Sequence, residues 1–368
     1  MLQEAVQAET LFQAHASGGA RIALATEARE WDAFVLSHPH GTLYHLFAWK
    51  NIIEKTYGHK THYLMAFKNS GSGSLQGQAA SGILPLVHLN HFLFGNSLVS
   101  VPFFDMGGVL ADDVDSEKAF ISEAIRLGQR LKSGNLEIRQ LSKTTGPWPS
   151  GTIKVRMLLD LPESAEALMK GFKSKLRSQI KKSVKDGLRA EIGGEELLGD
   201  FYEVFLVNMR DLGSPIHSRR LMENVLRSFP EDGRLVLVRN NGQAIAGSIV
   251  VGFKDVLENP WASSLRRFSH LNANMLLYWT MLEYACEKGF KRFDFGRSTP
   301  DEGTYKFKTQ WGARPEPLNW ANIPLNGGGA KNSIAQDTKF QLASEIWRRL
   351  PVELTRIIGP RIRKHIAL

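Results

Sequence analysis

Between residues 293 and 312 the chain gathers groups able to hold an anion: Phe293-Asp-Phe-Gly-Arg297, then Gly303-Thr-Tyr-Lys-Phe-Lys308, then Trp311-Gly312. The stretch follows an apolar helical pattern from Asn272 to Gly289 and reads as a strand running into a loop. Extended chain would alternate its side chains, placing Lys306 and Lys308 on one side and Tyr305 and Phe307 on the other. Two cations beside the Asp294 carboxylate suit a diphosphate or carboxylate ligand, with Arg297 as a further anion contact. The competing reading pairs Asp294 with Arg297 as a structural ion pair. Tyr305 is a candidate for proton handling.

A second cationic segment runs from Lys170 to Lys185. Leu176, Ile180 and Val184 recur at helical spacing, and Lys173, Arg177 and Lys181 form a neighbouring stripe. A solvated face is the plain reading. The near absence of acids before Asp186 favours a phosphate-contacting surface instead, since like charges at this spacing repel. In the first half, Tyr44-His45-Leu-Phe-Ala-Trp49 opens a helix and Pro102-Phe-Phe-Asp105 precedes paired glycines. His45 and Trp49 are candidate substrate contacts. Asp105 either caps a turn or serves as a catalytic carboxylate. Glu283, on the apolar helix, is a buried base or an edge residue. No phosphate loop of the Gly-x-x-x-x-Gly-Lys-Ser/Thr type, no Gly-x-Gly-x-x-Gly after a strand and no zinc spacing occurs.

These residues sit in a chain of 368, long enough for two domains of ordinary size. Its 43% hydrophobic and 23% charged content is that of a globular protein with real cores. A net charge of +9 favours acidic partners: nucleic acid, phosphorylated precursors or an anionic membrane surface. The lone Cys286 forms no internal disulfide and reads as a small buried hydrophobe. No apolar run approaches a membrane span, and residues 1–20 lack the pattern of a secretory signal. The expected location is therefore the cytoplasm.

The elements needed to position the candidates recur in two halves. In the first, strands near 21–26, 62–67, 82–88 and 136–141, with a hairpin around 90–96 leading into 97–110, accompany helices at 27–36, 42–57 and 116–132. In the second, strands at 154–161, 234–239, 244–253, near 261 and at 291–295 accompany helices at 164–172, 174–186, 195–212, 217–229 and 272–289. Asn240-Asn-Gly242 predicts a tight hairpin turn. This order of elements argues for two α/β domains of one design. A glycine-rich break at 326–331 precedes a basic amphipathic tail at 340–368. The tail either packs back on the body or lies on an anionic membrane face.

Taken together, the chain resembles the FemAB family of the GNAT-fold acyltransferase superfamily, and in particular the FemAB-related proteins of PEP-CTERM/exosortase and exopolysaccharide gene systems. The resemblance rests on Tyr44-His-Leu-Phe-Ala-Trp49, Pro102-Phe-Phe-Asp105, Lys175-Leu-Arg-Ser-Gln-Ile-Lys-Lys182, Asn208-Met-Arg-Asp-Leu-Gly213 and the 293–312 segment; it spans residues 21–322 and extends into the tail at Trp347-Arg-Arg-Leu-Pro351 and Gly359-Pro360. It implies an α/β fold of two tandem GNAT-like (acyl-CoA N-acyltransferase-like) domains, 21–150 and 151–325, followed by the tail at 326–368. It also implies acyl or aminoacyl transfer, without a certain cofactor, from aminoacyl-tRNA or acyl-CoA to a phosphorylated envelope or polysaccharide precursor. Lys306 and Lys308 would contact that precursor's phosphates. The implied setting is the cytoplasm or the inner face of the membrane. Two departures bear on the donor. The coiled-coil arm of tRNA-using relatives is missing. The step into the 272–289 helix, Ser263 to Leu271, also lacks the glycine loop of coenzyme A enzymes, leaving Arg266 and Arg267 as substitutes. An ordinary acyl-CoA-dependent N-acyltransferase and a non-catalytic scaffold for polysaccharide synthesis are the alternatives.

Overall fold

The computed structural model describes residues 16–17, 20–24, 28–68, 80–148, 151–325 and 338–367. The Thr26 cap, the Gly/Ser turn at 69–77 and the glycine-rich break at 326–331 lie outside the described residues, as does most of the segment 1–20.

The chain forms two compact units. The first holds the residues up to 152 together with 318–331 and 367–368, and the second holds 153–317 and 332–366. In the first unit the strands are β1 (Ala16–Ser17), β2 (Ala20–Leu24), β3 (Lys60–Lys68), β4 (Ala80–His91), β5 (Gly95–Val99), β6 (Leu110–Ala111), β7 (Asn135–Gln140) and β15 (Asn319–Pro324). Their order is β1-β2-β3-β4-β5-β7-β15, with β6 beside β4. All described neighbours are antiparallel except β5 and β7. A parallel neighbour needs a crossover, which the helix α3 (Val114–Arg130) supplies. Asp113 caps that helix by accepting the Ser116 N–H at 2.7 Å. Helices α1 (Ala28–Ser37) and α2 (Ala48–Tyr57) complete this unit. The sequence-based boundary gave residues 319–324 to the second domain. Instead β15 pairs along the length of β7, from Asn319 opposite Gln140 to Pro324 opposite Asn135. Ala321 and Ile323 thereby join the core of Leu64, Leu84, Phe120 and Ile138.

The second unit repeats the plan. Its strands are β8 (Val155–Asp160), β9 (Arg189–Gly193), β10 (Gly233–Asn240), β11 (Gln243–Phe253), β12 (Val256–Ser264), β13 (Arg292–Ser298) and β14 (Arg314–Pro317), in the order β14-β8-β13-β12-β11-β10-β9. Again one described pair, β12 and β13, is parallel, joined through the crossover helix α8 (Ala273–Glu287). Helices α4 (Ala165–Gly171) and α5 (Ser174–Lys185) share its face of the sheet, over Met157, Leu159, Leu257, Phe293 and Phe295. On β11 and β12 packs α6 (Leu198–Asp211), followed by α7 (Arg219–Ser228). The Asn240-Asn-Gly-Gln243 hairpin has both central residues in the left-handed region, φ 48° and 83°, as a two-residue turn requires.

Three local expectations change. The 42–57 helix is broken into a 3-10 turn, Leu43–His45, and α2. On α5, Leu176, Ile180 and Ser183 are buried, whereas Val184 is 49% exposed. The apolar stripe therefore turns with the true 3.6-residue period rather than with steps of four. The third change concerns residues 303–309, which form the helix α9 (Gly303–Thr309) rather than extended chain.

The tail folds as α10 (Thr338–Arg349) and α11 (Val352–Arg363), both packed on α6. Trp347, Thr355, Gly359 and Arg363 are buried. Arg210 donates to the Leu350 carbonyl at 3.3 Å, Arg356 binds Glu203 at 2.6 and 2.8 Å, and Arg363 reaches His217 Nε2 at 3.1 Å. One face of the amphipathic tail is therefore consumed by packing.

Candidate functional site

Strands β12 and β13 share three register pairs, the last being Glu258 opposite Asp294, and then part. Both bend at this level. On β12, Asn259 and Pro260 stand opposite the single Val250 of β11, which is a bulge; proline, lacking an N–H, is tolerated at such a place. On β13, Gly296 takes φ 73° and the register against β8 shifts between Asp294 and Arg297. From there β12 continues along β11 and β13 along β8, with no further register pair between them. A central sheet that opens in this way leaves two facing edges with hydrogen-bonding capacity, the setting an extended ligand needs.

The kink of β13 is held from both sides. Asp294 accepts the Gly296 N–H at 2.7 Å. Lys308, on α9, donates from Nζ to the carbonyls of Gly296 at 3.1 Å and Arg297 at 2.7 Å. Helix α9 accounts for this geometry. Phe307 and Trp311, four residues apart, both turn to the core, and Lys308 points inward beside them.

On the α8 side of the opening, polar groups meet an aromatic cluster. Tyr278 of α8 stacks on Phe295 at 5.4 Å and lies 5.0 Å from Phe307 and 6.1 Å from Trp311. Burial pushes its hydroxyl up to about 12, with the neighbouring Asn259 side chain partly opposing the rise. The hydroxyl is thus a proton donor at neutral pH, not a base. Asn259 Oδ1 accepts from the Ser248 hydroxyl at 2.8 Å. The Asn259 Nδ2, Trp311 Nε1 and Ser298 Oγ atoms are buried without a well-formed hydrogen bond. Such atoms cost about 1–3 kcal/mol each and are rare. Two of the three belong to residues that neighbour Tyr278, where acceptor oxygens of a ligand would satisfy them.

Alternate residues on the same strands face the other way. Arg156, Glu258 and Asp294 are all buried there. Arg156 Nε donates to Asp294 at 2.6 Å, its Nη2 reaches Glu258 at 3.5 Å and its Nη1 lies 3.8 Å from Glu316. Burial alone would raise the Asp294 carboxyl; the Arg156 charge, contact with the Glu258 carboxyl and the Gly296 N–H together bring it below the usual range. Arg156 thus lies against both carboxyl groups at once. The cluster fixes the last shared pair before the strands part.

The other sequence candidates fall as follows. Lys306 is exposed and Tyr305 half-buried against the core, so the expected platform of two parallel lysines is not formed: in a helix these positions lie about 200° apart. Asp294 pairs with Arg156, not with the half-buried Arg297. Lys173 is exposed at the N-cap of α5, and Arg177 donates to the carbonyls of Lys170 and Phe172 at 3.1 Å, closing the end of α4. Arg266 and Arg267 are exposed on a 3-10 turn, Arg266–Leu271, leading into α8, whose N-cap Asn272 makes no side-chain cap. Glu283 is half-buried beside Glu287, and burial pushes the Cys286 thiol up, away from nucleophilic use.

In the first unit, Trp49 is fully buried and donates to the Leu43 carbonyl at 2.8 Å. His45 is buried, its Nδ1 receiving the Thr42 N–H at 3.1 Å. Asp105 is half-buried, and its carbonyl accepts Trp320 Nε1 at 2.9 Å. The parallel pair β5 and β7 also parts, after Val99 and Glu137. Here the chain itself fills the gap. Arg139, wholly buried, stacks 4.4 Å from Trp320 and donates to the carbonyls of Phe104 at 2.8 Å and Ala367 at 3.1 Å. The Gly107 N–H reaches the Arg139 carbonyl at 3.1 Å. The open version of the device lies in the second unit.

Arg156, Glu258, Asn259 and Tyr278 were not singled out from the sequence, and Trp311 was named only as part of the 293–312 segment. A readable signal existed for two of them: Glu258 and Asn259 are polar residues inside an apolar strand, next to a proline.

Residues 170–309 match the family model described as an acetyltransferase (GNAT) domain. No curated protein matches the chain. Among solved structures, FemX is similar with a TM-score of 0.63 at 16% identity, over 82% of this chain and 97% of that one. A tandem GNAT protein from the clavulanic acid biosynthesis pathway gives 0.54 at 10% identity, over 84% of this chain and 100% of that one. L-PGS from Bacillus licheniformis gives 0.52 at 10% identity, over 88% and 98%. At such identities the likeness is one of fold, and that fold is two tandem GNAT-like domains.

Proposed function

We propose that the chain is an acyl- or aminoacyltransferase whose donor lies in the opening between β12 and β13. The observation that carries this reading is the parting of two parallel strands inside a segment matched by an acetyltransferase model, beside buried Asn259 Nδ2 and Trp311 Nε1 atoms that lack a well-formed hydrogen bond. The strand edges receive the donor's extended arm. Asn259 Nδ2 and Trp311 Nε1 face the acyl oxygen, where charge develops as an amine or hydroxyl of the acceptor attacks. Tyr278 gives its hydroxyl proton to the departing group and is restored by the proton that the attacking amine or hydroxyl loses, so the transfer is proton-neutral. Arg266 and Arg267, before the uncapped start of α8, meet donor phosphates. Direct transfer requires alignment rather than a covalent enzyme intermediate.

The finer reading makes the acceptor a phosphorylated envelope or exopolysaccharide precursor, handled beside a PEP-CTERM/exosortase system, with Lys173, Arg297 and Lys306 as cationic contacts. It rests on the FemAB resemblance and on the basic charge of the chain. Acyl-CoA and aminoacyl-tRNA are the two donor classes to separate.

Thermal-shift titration with acetyl-CoA, longer acyl-CoAs and charged tRNA tests this. A donor at a hundredfold its Kd stabilises by about 2.7 kcal/mol, several degrees in Tm. The expected result is a shift with one class, weakened at least about tenfold by Asn259→Ala, which removes one charge-stabilising donor. No shift with any donor, or an undiminished shift in Asn259→Ala, would sink the proposal.

A further inference from the structure

Helices α10 and α11 dock on α6 through one face each, yet both keep large aliphatic side chains in the open: Leu342 is 62% exposed, Ile346 55%, Leu354 41% and Ile357 58%. At 100° per residue, Leu342, Ile346 and Arg349 fall within about 60° of one another on α10. Leu354, Ile357 and Arg361 do the same on α11. In both helices this stripe lies opposite the packed one. On α10 the inner side is marked by Trp347 and by Ser344, whose carbonyl lies 2.8 Å from where a Cβ on Gly213 would stand. On α11 it is marked by Thr355, Gly359 and Arg363. Each helix thus repeats one arrangement: two aliphatic residues and an exposed arginine, turned away from the body.

We propose that these two outer faces form a peripheral docking surface for an anionic phospholipid bilayer. Residues 341–367 carry six Lys and Arg against two Glu; Arg363 is buried and Arg356 also binds Glu203, while both acids are already bound within the tail, Glu345 by Arg348 and Glu353 by Arg356. Arg349 and Arg361 flank the aliphatic residues at the level where lipid headgroups would lie, and the aliphatic side chains enter the acyl boundary. A second copy of the chain is the weaker occupant. Four half-exposed aliphatic side chains offer on the order of a few hundred Å², short of the roughly 800 Å² per partner of a stable interface. The inference stands apart from the donor site and does not depend on the transferase reading.

The test is vesicle co-sedimentation of the full chain with phosphatidylcholine alone and with phosphatidylcholine containing one-third phosphatidylglycerol. Retention on the anionic vesicles and little on the neutral ones is expected. Arg349→Gln and Arg361→Gln should each weaken retention about fivefold, less at high salt. Ile346→Ser with Ile357→Ser should weaken it at low and high salt alike. All four positions are exposed, so melting temperatures should match the parent, which keeps the variants interpretable. No retention on anionic vesicles, or retention unchanged in every variant, overturns the proposal. So does a dimer in sedimentation velocity that the serine variants dissolve, which would assign the surface to a second copy.

Discussion

Arg156→Met removes the cation from beside two buried carboxyl groups while keeping most of the side-chain stem. In the native protein the Arg156–Asp294 contact is 2.6 Å, with Asp294 1% and Glu258 3% exposed. Removing one partner of a buried pair costs about 3–5 kcal/mol, because the survivor is left charged in a poor solvent for charge. For a unit of about 200 residues each kcal/mol moves Tm by about 2–4 °C, so a fall of roughly 6–20 °C is expected near neutral pH. The pH dependence should invert. In the native protein the Asp294 carboxyl lies below its ordinary value, so its contribution is whole above about pH 4 and drains as pH falls further. In the variant, burial is opposed only by the Gly296 N–H and the Glu258 contact, and the folded carboxyl rises above its unfolded value. The penalty then grows as pH climbs from about 4, and the variant's deficit shrinks on acidification. Circular-dichroism melts of both proteins between about pH 4.5 and 8 read this directly. Asp294→Asn in the Arg156→Met background should recover part of the loss, since a pair removed together costs less than a pair broken. A deficit under about 1 kcal/mol at neutral pH, or one that does not change with pH, would refute the electrostatic account.

Two other outcomes follow from the packing. Gly213 has φ 76°, and a Cβ there would stand 2.8 Å from the Ser344 carbonyl, so Gly213→Ala should cost about 1–2 kcal/mol in backbone strain alone. It should also loosen α10, read as faster proteolysis within residues 338–363. His217 is buried, and burial together with the Arg363 charge holds its imidazole well below the ordinary range, while the unfolded chain protonates near pH 6.5. Stability should be complete above about pH 7.5 and fall on acidification through 6.5 by about 1.4 kcal/mol per pH unit. Urea unfolding at two pH values measures it, and His217→Gln should flatten the dependence.

Much of this architecture was legible in the residues themselves. The Asn240-Asn-Gly hairpin, the helices read at 116–132 and 272–289 and found at 114–130 and 273–287, and the repeated order of elements were legible because turn chemistry and apolar period act within a few positions of the chain. The importance of 293–312 was legible too, since Asp294, Gly296 and Lys308 converge on one strand end. What those groups hold was not. A run of four alternating residues, Tyr305 to Phe307 and Lys308, is too short to tell strand from helix, and the core's demand for Phe307 and Trp311 on one face decided the matter. Nor could local pattern assign β15 to the first sheet, or bring Arg156 to Glu258 and Asp294, which lie 102 and 138 positions further along. Those partnerships arise only when sheets close and bury polar atoms together, for a buried charge takes its partner from whatever the fold places beside it, not from its neighbours in sequence.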